Sequence, residues 1–340
     1  MKSITKCLII GLIVLLNSSC KKETEENKTD FTIAFGSCNK QYLKNELWDD
    51  IVDQKPDVWV WGGDIVYADT ENMDTLRADY DVLLNDEGYK KVLTSTKVIG
   101  TWDDHDYGVG DGGEHFIAKK ESEQMFLDFF KVPKNDKRRQ QEGVYSSETM
   151  KTEKGSVKII LLDTRYFRTD LTISADSTKR YQPNKYGEGT LLGETQWQWL
   201  EHELKTSTAD FNVIMSSIQV LSNEHGFEEW GNFPHEVDRL KQVIVDSKAK
   251  GVILLSGDRH FSEFSKETLP GLPYPLIDFT SSGLTHIYAG FHGEPNPYRV
   301  GVVIPKKSFG VLQFDFETRK VTMKMVGNND EIFQQITEQY

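Results

Sequence analysis

Four apolar runs in this chain stop abruptly on acids or imidazoles. "VWVWGGDIVYAD" reaches Asp64, with Tyr67 and Asp69 just beyond. "VIGTWDDHD" ends in Asp103, Asp104, His105 and Asp106, "KIILLDTR" in Asp163 and Arg165, and "VILLSGDRH" in Asp258, Arg259 and His260. A single acid after a strand is usually a turn or helix cap; four in one chain call for another account. If the strands are parallel, their ends converge on one edge of a sheet. Carboxylates gathered there repel one another unless cations neutralise them. The pattern therefore predicts a sheet of parallel strands with a metal-binding rim.

The rest of the chain agrees with such a fold. Strand-like runs recur from "FTIAFGSC" to "KVTMKMV", and helical patterns lie between several of them, over 43–54, 74–93, 114–130, 194–205 and 234–250. That alternation indicates an α/β fold. From residue 275 onward strands follow one another without helices, which suggests hairpins and mixed sheets. No Pro/Gly/Ser-rich linker divides the middle, so 30–340 is read as one catalytic domain.

The N-terminus reads as a leader. Lys2 and Lys6 precede "CLIIGLIVLL", and small residues follow; a membrane span needs about 20 apolar residues, and this run is shorter. The segment closes on "LNSSC", which resembles a bacterial lipobox, with Asn17 where such boxes prefer an aliphatic residue. The expectation is a signal peptide at 1–19 and a lipid anchor on Cys20. A charged tether without apolar residues follows over 20–29, on a protein of the bacterial envelope, periplasmic or surface-facing. Of the three cysteines, Cys38 is then the only thiol in the folded body. It ends a strand without a partner, as a buried small hydrophobe or as a metal ligand or nucleophile.

The formal net charge is −13, which argues against a nucleic-acid-binding surface. Carboxylates suit hard cations, and imidazole suits transition metals. A thiolate at Cys38 and a phenolate at Tyr67 favour a strongly polarising trivalent ion. Two metals on such a rim can bind a phosphate and orient a water, and Arg165 offers a clamp for a phosphate oxygen.

The ordered set "FGSC", "GGDIVYAD", "TWDDHD", "LLDTRYFR", "LGETQWQWL", "VIMSSIQV", "WGNFPHEVDRL", "LLSGDRHFSE" and "DFTSSGLTH" resembles the PhoD-like alkaline phosphatases, a branch of the calcineurin-like metallophosphoesterases. The resemblance runs over roughly 31–316. It implies a four-layer αββα sandwich of two mixed sheets, and hydrolysis of phosphate mono- or diesters by direct water attack. It also implies a ferric ion with calcium: Cys38 and Tyr67 as ferric ligands, Asp64 bridging the metals, Asp258 and His260 as ligands from a late strand. Asp104 is expected in the site and His105 near the reacting phosphate, or orienting a carboxylate. Where the family has an Asn beyond "WDDHD", this chain has Gly110 and Asp111, leaving Asp111, Asp104 or Asp106 as substitutes. The alternatives are a non-catalytic lipoprotein binding calcium or a phosphorylated ligand, and a different metal hydrolase such as a phosphotriesterase.

Other signals weigh less. "GVGDGG" fits a dinucleotide fingerprint, but "DDHDY" separates it from its strand, so a site-bordering loop is the better reading. Ser216 and Ser217 lack a nucleophile elbow and are assigned to supporting roles. His286 is assigned equally to the pocket or to structure. His225, His235 and His292 are placed at the surface or rim, and Trp59, Trp61, Trp197 and Trp199 in the core. Arg165 is either a phosphate clamp or a salt bridge fixing Asp163, and Arg168 carries the same two readings.

Overall fold

The structure, a computed structural model, describes residues 29–340. The signal peptide, the Cys20 anchor and the tether as far as residue 28 lie outside the described residues.

Strands β1 (Phe31–Gly36), β2 (Val58–Gly62) and β3 (Lys97–Thr101) alternate with helices α1 (Trp48–Asp53), α2 (Met73–Asn85) and α3 (Glu87–Ser95). The short α4 (Asp104–Tyr107) and α5 (Lys119–Phe129) follow, then β4 (Ser146–Lys151) and β5 (Ser156–Leu161). A small hairpin, β6 (Thr172–Ile173) and β7 (Tyr181–Gln182), precedes α6 (Gly193–Lys205), β8 (Phe211–Met215), α7 (Pro234–Ser247) and β9 (Val252–Ser256). The chain closes with β10 (Ser262–Glu267), β11 (Leu276–Ser281), β12 (Arg299–Ile304), β13 (Phe309–Asp315), β14 (Lys320–Val326) and β15 (Ile332–Gln339).

Two large mixed sheets result, one in the order β15-β14-β13-β1-β2-β3 and the other β12-β10-β11-β9-β8-β5-β4. β1, β2 and β3 are parallel in the first, and β5, β8, β9 and β11 in the second. The remaining pairs are antiparallel, as the late run of strands led one to expect.

The period of two along each strand sorts side chains between layers. Ile33, Phe35, Val58 and Val60 point into an apolar layer shared with Val157, Ile159, Val213, Ile253 and Leu255 of the other sheet. Their sequence neighbours Ala34, Trp59 and Trp61 point outward, against α1, α2, α3 and α5 through Trp48, Leu76, Tyr89 and Phe126. On the far side Ile160, Ile214 and Leu254 pack against α6 and α7 through Trp197, Leu200, Leu240 and Ile244. Two sheets face to face with helices outside make the four-layer sandwich expected from the resemblance.

Several boundaries differ from the sequence reading. The helix read over 74–93 is two helices, because Asp86 adopts an extended conformation (φ −65°, ψ 126°) and caps α3 by accepting from the Tyr89 N–H at 2.8 Å. The helix expected over 43–54 is only one and a half turns long. Five strands go beyond the expected apolar runs: β10 and β15 because "SEFSKE" and "IFQQITEQ" carry too many polar residues to stand out, β6 and β7 because they are two residues each, and β12, "RVGVVI", although it is mostly apolar. Trp199 is only partly buried, unlike the other three tryptophans assigned to the core.

Candidate metal centre

The C-terminal ends of β1, β2, β3 and β9 meet at one rim, where the backbone turns sharply. Cys38 (φ 59°), Asp64 (φ 49°), Asp258 (φ 66°) and His260 (φ 56°) are all left-handed, a conformation uncommon for residues other than glycine and one that clusters at functional sites. Glycine appears where the strand ends crowd together: a Cβ on Gly63 would lie 2.4 Å from the Asp103 Cβ, and one on Gly257 2.6 Å from the Gly62 carbonyl.

Asp64 is the hub. The Cys38 thiol donates to its Oδ2 at 3.2 Å and the Tyr67 hydroxyl at 3.0 Å. The same hydroxyl lies 3.1 Å from His260 Nε2, and Ser282 donates to the Cys38 sulfur at 3.0 Å. Two donor groups overlap here. Cys38, Asp64 and His260 bring one ligand atom each within 4.8 Å of one another, and so do Asp64, Asp104 and His105. Asp64 belongs to both.

These groups fit metal ions. Burial, then the Asp258 charge, pushes the Cys38 thiol up to about 11. Burial, with the Cys38 and Asp104 charges, holds Asp64 well above the usual carboxylate range. Asp104 Oδ1 is buried with no hydrogen-bond partner. The Cys38 thiol, the Tyr67 phenol and the Asp64 carboxyl, all pushed up by burial, are groups a cation would deprotonate and hold, and the His260 imidazole, which burial keeps neutral, and the partnerless Asp104 oxygen are ready donors beside them. Asp258 lies on the same cavity wall but belongs to neither donor group. Burial first, and Asp104 among the charges, raises it to about 6.

His105 sits beside this cluster. Its Nδ1 is 2.7 Å from Asp69 Oδ1 and its ring stacks on Tyr67 with centroids 4.0 Å apart. Burial opposes its charge, but Asp69, Asp64 and Asp104 together push it up to about 10. With Nδ1 held by Asp69, contact with a substrate falls to Nε2. His286 packs on His260 and Tyr67, at 4.3 and 5.1 Å between centroids.

Other strand-end residues have different roles. Asp106 accepts from the N–H groups of Asp103, Ile65 and Asp64 at 2.7, 3.1 and 3.2 Å. Asp163 accepts from the backbone of Val144, Arg165 and Tyr166 and from the Trp102 indole, all at 2.8–2.9 Å. Both are structural acids. Arg165, expected at the reacting phosphate, is sealed from the cavity instead. Its Nε donates to Asp103 at 2.6 Å and its Nη1 to Glu228 at 2.5 Å, and no part of the side chain is exposed. The clamp reading gives way to a positioning one, because a guanidinium already flanked by two carboxylates has no surface for a substrate oxygen. Arg168 is likewise buried, with Nε 2.9 Å from Glu228. Asp111 is drawn off by the Tyr181 hydroxyl at 2.6 Å and by Arg180 at 2.7 Å. Asp106 is committed through both oxygens; Asp104 keeps Oδ1 without a hydrogen-bond partner, while both contacts on Asp111 fall on its Oδ2. Ser217 donates to Asp103 at 2.6 Å and Ser216 accepts from the Trp230 indole at 2.9 Å, as their supporting assignment requires. His225 is buried against Glu229 at 2.8 Å rather than at the surface.

A cavity of about 260 Å³ opens over the centre. Asp104, His105, Asp258 and His260 line it, and so do Gly110 and Asp111 of the glycine-rich loop, which borders the site as read. Arg180, Arg259, Phe227, Glu228 and Tyr288 complete the lining. Sequence reasoning missed these five as site residues, because none ends an apolar run except Arg259, which its acidic and imidazole neighbours overshadowed.

A model of the PhoD-like phosphatase family matches residues 33–281. Alkaline phosphatase D of Bacillus subtilis (strain 168) is 29% identical over 110 residues, which span 30% of this chain and 19% of that protein. Among solved structures, PhoD superposes with a TM-score of 0.68 at 17% identity, covering 92% of this chain and 68% of that one. A dimetal phosphatase from Danio rerio gives a TM-score of 0.54 at 14% identity, covering 92% and 100%. GAP50, the anchor in the inner membrane complex of Plasmodium, gives 0.57 at 12%, covering 91% and 88%. At such identities these structures speak for the fold; the match across most of the chain speaks for the family. The chain belongs to the PhoD-like phosphatase family.

Proposed function

We propose that this protein is a metal-dependent phosphoesterase that releases phosphate from esters outside the cytoplasm, from one catalytic domain over 30–340. The observation that carries the reading is the sharing of Asp64 between two donor groups whose members Asp104, His105 and His260 line the cavity. Cys38, Tyr67, Asp64 and His260 would hold a ferric ion. Asp64 and Asp104, with Asp258 nearby, would hold calcium, without the side-chain donor that an Asn at position 110 would add. Bound there, the metal ions supply positive charge to the phosphoryl oxygens and a nucleophilic water.

The chain's own residues do the rest. His105 carries the proton that the leaving oxygen needs, and Asp69 fixes its ring so that Nε2 is the nitrogen that delivers it. Asp106 and Asp163 hold the strand ends by binding backbone N–H groups. Arg165, between Asp103 and Glu228, balances buried negative charge behind the site. Export and a lipid anchor on Cys20 rest on the leader and the "LNSSC" segment; mass analysis of the native protein showing an unmodified Cys20 would remove the anchor.

The test is hydrolysis of p-nitrophenyl phosphate and of its bis-ester at alkaline pH, with calcium and iron supplied and then with a chelator. Release that chelator abolishes is expected, and the ratio of the two rates ranks monoester against diester. A folded, metal-loaded protein that releases nothing from either would shift the reading to a binding lipoprotein on the same fold.

A further inference from the structure

The cavity is not lined by acids and imidazoles alone. Phe227 and Tyr288 meet in its wall, with ring centroids 6.3 Å apart at 78°. They come from connections far apart in the chain, Phe227 between β8 and α7, and Tyr288 between β11 and β12. Among the described residues, neither ring belongs to any of the three hydrophobic cores. Core packing therefore does not account for two half-buried aromatic rings at this place.

Both rings are held in position. The Phe227 N–H donates to His225 Nδ1 at 3.1 Å, and His225 Nε2 is 2.8 Å from Glu229. The Arg259 guanidinium lies 4.5 Å from the Phe227 centroid, and both oxygens of Glu294 hold its Nη2 at 2.8 Å. The Tyr288 N–H donates to the carbonyl of His260 at 3.0 Å, and its ring packs on Phe291. The corner is thus preorganised, and one of its walls is tied directly to the backbone of a candidate metal ligand.

A phosphoryl group has no use for a rigid aromatic corner; a flat apolar group beside it does. Resting on the hydrolase reading above, we propose that Phe227 and Tyr288 form a subsite for the base of a nucleotide, so that the substrate class is nucleoside phosphates. The cavity of about 260 Å³ lies just under the lower end of small-molecule sites, roughly 300 Å³. A base stacked on an aromatic ring gains roughly five- to a hundredfold in affinity, whatever its sequence.

The test uses a pair of substrates with the same scissile bond. Adenosine monophosphate and the matching ribose phosphate share the ester and differ in the base. For the full, metal-loaded chain, kcat/KM is expected to favour adenosine monophosphate by about tenfold or more, chiefly through KM. Phe227→Leu and Tyr288→Leu are each expected to bring that preference down severalfold. The preference is a ratio within one preparation, so a loss of folded protein lowers both rates and leaves it unchanged. Equal kcat/KM for the two substrates in the wild type overturns the subsite while leaving the hydrolase reading intact. A preference that survives both substitutions overturns it as well. No release from either substrate overturns the subsite; the hydrolase reading falls only if p-nitrophenyl phosphate and its bis-ester are not hydrolysed by the same preparation either.

Discussion

Asp64 and Asp163 each follow a buried strand, and their carboxylates are satisfied in opposite ways. Asp163 accepts four hydrogen bonds from N–H groups within 2.9 Å. Asp64 meets a thiol, a phenol and one long backbone contact from His105 at 3.4 Å. The first carboxylate is finished by its own fold. The second is surrounded by groups that compete for protons, and it sits on a backbone held in the left-handed region. A carboxylate held by a thiol and a phenol that a cation would deprotonate, on strained backbone, is where binding energy is available to a ligand.

That contrast can be broken by mutation. The largest effect is expected from Asp64→Asn, which removes the charge common to both donor groups. Metal content by elemental analysis should fall together with activity, by more than about a hundredfold, since even the outer partners of metal ligands are worth roughly 10–100-fold. Retention of both metals would end the bridging role. His105→Asn should cost about 10²–10⁴-fold in kcat while metal content stays near that of the wild type. Asp69→Asn, acting only through His105, should cost less, roughly 10–100-fold; an equal or greater loss would mean that Asp69 does more than orient the ring.

Asp163→Asn should do the reverse of Asp64→Asn. Its amide would face an N–H donor with another donor, a cost of about 1–3 kcal/mol seen in denaturant unfolding, with metal affinity preserved. Loss of metal instead would mean that the two rims are not separable. The smallest effect concerns Glu229, a buried acid of neither kind. Burial pushes it up to about 8, against the pull of Arg259 and Lys179. Folded protein then binds more protons than unfolded, so stability declines as pH rises from about 4.5 to about 8. Thermal unfolding across that range should show the decline, and Glu229→Gln should flatten it; an unaltered slope would assign the decline to other groups.

Reading the sequence went furthest where a short local pattern carries a physical meaning. Apolar runs ending in acid pointed to sheet edges, and the order of motifs pointed to the family. It failed where the outcome depended on partners distant in sequence. Asp106 and Asp163 look like Asp64 and Asp104 in the chain, and only the N–H groups brought to them by other strands tell them apart. Arg165 follows its strand as a phosphate clamp would, yet Asp103 and Glu228 close around it. The split between α2 and α3 was hidden because Asp86 lies inside a continuous helical period, and β15 because an exposed edge strand needs few apolar residues.

By itself the sequence determined that apolar strands would alternate with helices and stop on cation-seeking side chains, because periodicity and residue type are local properties. Only the tertiary structure decided which of those side chains face one another across two sheets, which are saturated by backbone, and that Phe227 and Tyr288 share a wall with them. Those are distances between residues tens to hundreds of positions apart, and packing sets them.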